Sequence, residues 1–152
     1  MTDRQVLHMT ITAVDLAMRY VGVRELSGAK NHPLVSWWLS LCGYALDAPD
    51  EIPWCSAFVN GIAWELRLPR SKSAAARSWL SVGTPILSSE AAVGFDVVIL
   101  SRGTNPKQGH VGFFAGWGES VDTVHLLSGN QDNSVSVETF PIHRILGIRR
   151  LA

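Results

Sequence analysis

Apolar and polar positions alternate with two different periods along this chain. In the first half they recur every three or four residues. "ITAVDLAMRYVGV" sets Val14, Ala17, Met18 and Val21 at helical spacing before Gly22 as a stop. "HPLVSWWLSLCG" opens with Pro33 near a first helical turn and closes on Gly43. A third helix is predicted from just after Pro53 to about Leu66, ahead of Pro69. "SKSAAARSWLSVG" predicts a fourth, capped by Ser71 or Ser73 and stopped by Gly83. The second half changes to strand patterns: "FDVVILS", "GHVGFFAGW", "DTVHLLSGN", "SVSVETF" and "RILGIRRLA", separated by turn residues. Helices first and an antiparallel meander second is an α+β pattern, with N-terminal helices packed on a C-terminal antiparallel sheet.

Length adds that one domain, 1–152, is expected, large enough for a hydrophobic core without staples. The polar stretches "LSGAKNHP", "LPRSKS" and "SRGTNPKQG" read as loops inside it. Acidic and basic residues balance at 13 each, and no basic run exceeds Arg149-Arg150, so nucleic acid is not an expected partner. The longest apolar run, "VGFDVVIL", is strand-sized, so no stable membrane insertion is expected. "MTDRQVLHMTITAV" lacks a basic region, an apolar block and a small-residue cleavage site. The expectation is synthesis in the cytoplasm, with something else carrying the protein to any site of action outside it.

The stretch "DEIPWCSAFVNGIAWEL" places Cys55 in the first turn of the third helix. There it shares a face with Val59, Ile62, Ala63 and Leu66, a stripe that must pack on the sheet. One reading is a small buried hydrophobe. The other is a nucleophile: unpaired N–H groups and the helix dipole stabilise negative charge at a helix start, and a thiol with a free-solution pKa of about 8.5 can be pulled well down there. The second reading needs a histidine held by a third polar group. The only other cysteine, Cys42, is expected to pack on the second helix.

Of five histidines, His8, His32 and His143 read as surface residues, while His110 and His125 lie in predicted strands. Joining "GHVGFFAGW" and "DTVHLLSGN" as a hairpin over Gly118 to Asp122 pairs Trp117 with Thr123 and sets His110 opposite Asn130. A carboxamide oxygen there could accept from the imidazole; a one-residue slip would break the pairing. Alone, His110 reads as a half-buried strand residue and Asn130 as a turn residue. The competing use of Cys and His, a zinc site, lacks any Cys-x-x-Cys, His-x-His or His-Glu-x-x-His spacing, so neither a metal nor another cofactor is expected.

With "PWCSAFVN", "GHVGFF", "LLSGNQDNSVS" and "ILGIRR" in that order, the chain resembles the NlpC-like and CHAP (cysteine, histidine-dependent amidohydrolase/peptidase) peptidoglycan hydrolases, closest to a compact subgroup common in phage lysis proteins. "YVGVRELSGAKNHPLV" and "SAAARSWLSVG" extend the likeness over nearly the whole chain. The resemblance implies a papain-like fold, with Cys55 as nucleophile, His110 as base and Asn130 as orienter, Gln131 standing second for that role. It implies amide cleavage through a thioester in the stem peptide of bacterial peptidoglycan, by an endopeptidase or an N-acetylmuramoyl-L-alanine amidase acting at the cell wall. Trp54, Ser56, Trp79, Gln131 and the loop Asn105 to Gly109 are expected to meet substrate, and Trp37, Trp38 and Trp64 to pack. A phage endolysin reaching the wall through a holin pore and an antibacterial effector injected by a secretion system share this chemistry. An inactive wall-binding or structural relative is the alternative of a different class. Glu25, in "VRELSG", matches a motif position without an assigned role.

Overall fold

The computed structural model describes residues 10–26, 31–48 and 52–152. His8, Asp50, Glu51 and the middle of the "LSGAKNHP" loop lie outside those residues.

Among the described residues three α-helices precede the sheet: α1 (Ala13–Met18), α2 (Pro33–Ser40) and α3 (Cys55–Glu65). Thr12 and Asp15 form a reciprocal capping box at the start of α1. This helix stops after six residues, so the stripe drawn through Val21 is not realised. Ala13 and Ala17 face the core instead, and Met18 and Val21 are exposed. In α2, Pro33 occupies the first turn, and the His32 side chain accepts from the Leu34 N–H at 3.1 Å. His32 is therefore a helix cap rather than a plain surface residue.

The expected fourth helix is a 3-10 helix, Ala76–Ser81, with no side-chain cap. The serines that would have capped it are engaged elsewhere. Ser71 Oγ accepts from Asn60 Nδ2 (3.2 Å), and Ser73 Oγ accepts from Ala75 N–H (3.1 Å), closing a local turn.

Six strands follow: β1 (Thr84–Pro85), β2 (Asp96–Ser101), β3 (Gly109–Trp117), β4 (Thr123–Gln131), β5 (Ser134–Pro141) and β6 (Ile145–Arg150). They form one antiparallel sheet in the order β1-β6-β2-β3-β4-β5. The α+β organisation is thus present. The last strand, β6, returns to lie beside β2, so β2 is central and reads as a continuous apolar run. Val97 and Ile99 join Val111, Phe113 and Leu127 under the helices; Val98 and Leu100 join Phe114, Leu126 and Ile148 on the opposite face.

Helix α3 is covered all round: every residue from Cys55 to Ala63 is buried. The sheet covers one side and α2 the other. Trp38 of α2 stacks on Trp54 (centroids 5.8 Å) and meets Phe58 edge-on at 5.0 Å. This packing fixes the start of α3 against the beginning of β3.

Candidate active site

Cys55 opens α3 directly after Trp54, the N-cap, which makes no side-chain capping bond. Among the described residues no capping side chain therefore competes for the first-turn N–H groups. The residue is only 4% exposed. Burial pushes its thiol above the ordinary cysteine value; the N–H groups of Val111 and Ser56, the Arg102 guanidinium and its own N–H act in the opposite direction. The sulfur therefore lies beside the peptide that links His110 to Val111.

By strand alternation His110 belongs to the Phe114 side of β3, opposite the face on which α3 packs. Its ring lies against Phe140, centroids 5.2 Å apart. The thiol and the imidazole thus approach the first residues of β3 from its two sides.

His110 is 2% exposed, and its Nε2 lies 2.9 Å from Gln131 Oε1. The Gln131 amide nitrogen donates to the carbonyls of Ser136 (2.8 Å) and Leu126 (3.2 Å), which fixes which end of the carboxamide faces the ring. An amide oxygen only accepts, so His110 Nε2 carries the proton. In the neutral ring Nδ1 then holds a bare lone pair, and this buried atom has no hydrogen-bond partner among the described residues. Burial pushes the imidazole pKa down to about 4; the Gln131 bond works against the fall, and the Arg102 and Arg144 charges add to it. At neutral pH the ring is an uncharged base.

The residue that holds the ring is therefore Gln131 rather than Asn130. Around Phe113–Leu127 and Phe114–Leu126 the β3–β4 hairpin keeps the register inferred from the sequence, but at its turn end the register shifts and Trp117 pairs with Val124 rather than with Thr123. Beyond Ser128 strand β4 bulges: Ser128 pairs with Ser136, but Gln131 pairs with Ser134, one residue out of step. Asn130 sits in the bulge with φ of 56°, and the side-chain parity shifts by one. Asn130 still borders the cleft beside His110, with Arg102, Asp132, Glu138 and Phe140. Gly129 makes the bulge possible in place: a Cβ there would come within 2.5 Å of the Trp54 ring.

Two of the residues expected to meet substrate are core tryptophans. Trp54 and Trp79 are both fully buried. Trp54 donates its Nε1–H to Glu25 Oε1 at 2.5 Å, which gives Glu25 a place: it fixes the N-cap of α3. Trp79 donates to Ser56 Oγ at 2.9 Å. Ser56, the third expected substrate contact, is also fully buried and donates to the Ser73 carbonyl at 2.6 Å. These three are architectural because their polar atoms are spent inside the protein. Trp38 packs as expected, but Trp64 is half-exposed and meets Trp37 edge-on at 5.3 Å.

The loop expected to meet substrate does border Cys55. A cleft of roughly 190 Å³ is lined by Pro53, Cys55, Arg102, Lys107, Gln108 and Gly109, among others. Arg77 holds that loop by donating to the carbonyls of Gln108 (2.7 Å) and Asn105 (3.4 Å). Arg102, which the sequence did not single out, borders both this cleft and the one beside His110. Among the described residues no three His, Cys, Asp or Glu side chains converge as metal ligands, and no helix is long and apolar enough to cross a membrane. His125 does not line the cleft, but its Nδ1 lies 2.9 Å from the hydroxyl of Thr139, which does.

Compared with protein-family models and with curated proteins, the chain has no match in either.

Proposed function

We propose that this chain is a cysteine amidase or peptidase with a papain-like arrangement of parts, acting on the stem peptide of bacterial peptidoglycan. The observation that carries the reading is the state of His110: one ring nitrogen held by a fixed carboxamide, the other buried, bare and unpartnered beside the first residues of β3. A buried lone pair without a donor costs stability, and a catalytic role is one reason for a fold to carry that cost. The sulfur of Cys55, next to the Val111 N–H, is the group that could use that lone pair in this reading.

In this reading Nδ1 of His110 takes the Cys55 proton as the sulfur attacks an amide carbonyl. The developing oxyanion is met by first-turn N–H groups of α3. The imidazolium then returns its proton to the leaving amine nitrogen, the C–N bond breaks, and a thioester remains on Cys55. His110 next draws a proton from water, which attacks the thioester and frees the acid and the thiol. Gln131 orients the ring and adds no charge. The low affinity of this imidazole for protons makes the resting pair a thiol and a neutral ring, so the proton moves during attack rather than before it.

The substrate class rests on the sequence likeness in "PWCSAFVN", "GHVGFF" and "GNQ". Delivery by a holin pore or by a secretion system belongs to the same proposal. The test is lysis of purified peptidoglycan by wild-type and Cys55→Ala protein in a zymogram. Wild-type clearing that is absent in the variant is expected, and clearing by a folded Cys55→Ala protein would refute the assignment. Mass spectrometry of the released fragments then separates amidase from endopeptidase.

A further inference from the structure

Arg102 has no assigned role in the chemistry above, and its surroundings are unusual. Its side chain is exposed at the junction of the two clefts, bordering Cys55 on one side and His110 on the other. It makes no hydrogen bond or ion pair among the described residues. The other arginines near the site are committed. Arg77 holds the 105–108 loop, and Arg144 donates to the Ser101 carbonyl at 3.0 Å and lies over the Phe140 ring.

The two clefts also differ in charge. Beside Cys55 the lining carries Arg102 and Lys107 and, among the described residues, no acid. Beside His110 the lining carries Asp132 and Glu138 opposite Arg102. An anionic group is therefore favoured on the Cys55 side and repelled on the other. Among the described residues Arg102 alone borders both, and its planar fork suits a carboxylate.

We propose that Arg102 binds a free carboxylate of the substrate next to the scissile amide, on the Cys55 side of the site, so that the enzyme selects acidic peptides and sets their direction across the cleft. This inference rests on the amidase reading for the word substrate, but not for the anion site itself. Arg102 thereby becomes a specificity residue, with Lys107 a weaker, longer-range contributor on the same wall.

The test has two arms. In the first, Cys55 is alkylated in a Cys42→Ser background by iodoacetate and by iodoacetamide; in both the sulfur displaces iodide, and only the first reagent carries a carboxylate. The ratio of the two rates is read from the mass of the Cys55 peptide. Arg102→Gln is expected to lower that ratio about tenfold, Arg102→Lys to recover part of it, and Lys107→Gln to change it less. A ratio unmoved by Arg102→Gln, or moved equally by Lys107→Gln, overturns the proposal. In the second arm, wall peptides with a free or an amidated carboxylate beside the scissile bond are compared. Arg102→Gln should reduce the preference for the free acid by about 10- to 100-fold, chiefly through KM. Absence of hydrolysis by wild-type protein, with the alkylation ratio still dependent on Arg102, would refute the amidase reading and leave the anion site standing. Hydrolysis with a preference that survives Arg102→Gln would refute the anion site alone.

Discussion

Two neighbours on one helix, Cys55 and Ser56, meet opposite fates. Ser56 belongs to a closed polar cluster: its hydroxyl donates to the Ser73 carbonyl and accepts from Trp79, while Asn60 Nδ2 donates to the Ser56 carbonyl and Asn60 Oδ1 accepts from the Lys72 N–H. The polar side-chain atoms of Ser56, Asn60 and Trp79 are all partnered in that cluster. Cys55, about a hundred degrees round the helix, faces the start of β3, where a histidine is clamped at one nitrogen and left bare at the other. Both clusters are buried and both lie at the start of α3. The difference is completeness. A satisfied cluster holds a loop in place; an unsatisfied one, in the proposed reading, keeps a lone pair ready for a proton that arrives only during reaction.

Substitutions should separate the two clusters. The largest effect is expected at Cys55: Cys55→Ala should remove turnover by about four orders of magnitude or more while leaving the melting temperature near that of the wild type. Asn60→Ala should do the reverse. It removes a fully buried side chain, leaves a small void and takes the acceptor from the Lys72 N–H, costing about 2–3 kcal/mol, visible as a fall of about 5–10 °C in thermal unfolding, and the surviving folded fraction should keep most of its activity. Equal losses of activity per folded molecule in both variants would erase the distinction.

Acid should act through His110. Its folded pKa, about 4, lies below the ordinary value of about 6.5. The unfolded chain therefore takes up the proton first as pH falls. The stability that goes with the neutral ring is complete above pH 6.5 and is lost progressively down to about pH 4, on the order of 3 kcal/mol. His110→Gln should flatten that part of a denaturation-versus-pH curve. The acid limb of kcat/KM should likewise lie well below pH 6.

The smallest and sharpest contrast lies in the bulge. Gln131→Ala should lower kcat about 10- to 100-fold with little change in KM, because the ring loses its orientation. Asn130→Ala should change kcat by less than about threefold. The opposite ranking would return the orienting role to Asn130.

That contrast also marks how far the sequence could be read. Five of the six strands and the three α-helices were legible in the apolar pattern, although α1 ends at Met18, short of the stripe drawn for it, and α3 and β2 are buried on both sides rather than on one face. Cys55 and His110 were legible because their positions follow from helix start and strand parity. The step from Asn130 to Gln131 was not, because a single bulged residue reverses parity without changing composition. A signal did exist: Asn130, Asp132 and Asn133, following Gly129, all take positive φ and are types that tolerate it. The tryptophans were misjudged because an aromatic side chain carries no mark of whether its N–H will find a partner inside. Trp54 and Trp79 found Glu25 and Ser56, so they are buried. Arg102 was passed over because exposed arginines are common, and its lack of partners appears only once the chain is folded.

Protonation of the His110 ring at rest is the most direct test of the account. Nitrogen NMR of histidine-labelled protein at neutral pH should find one proton on Nε2 and none on Nδ1. A proton on Nδ1, whether in the other neutral tautomer or in an imidazolium, would contradict it, because the atom assigned to accept from the thiol would already be filled.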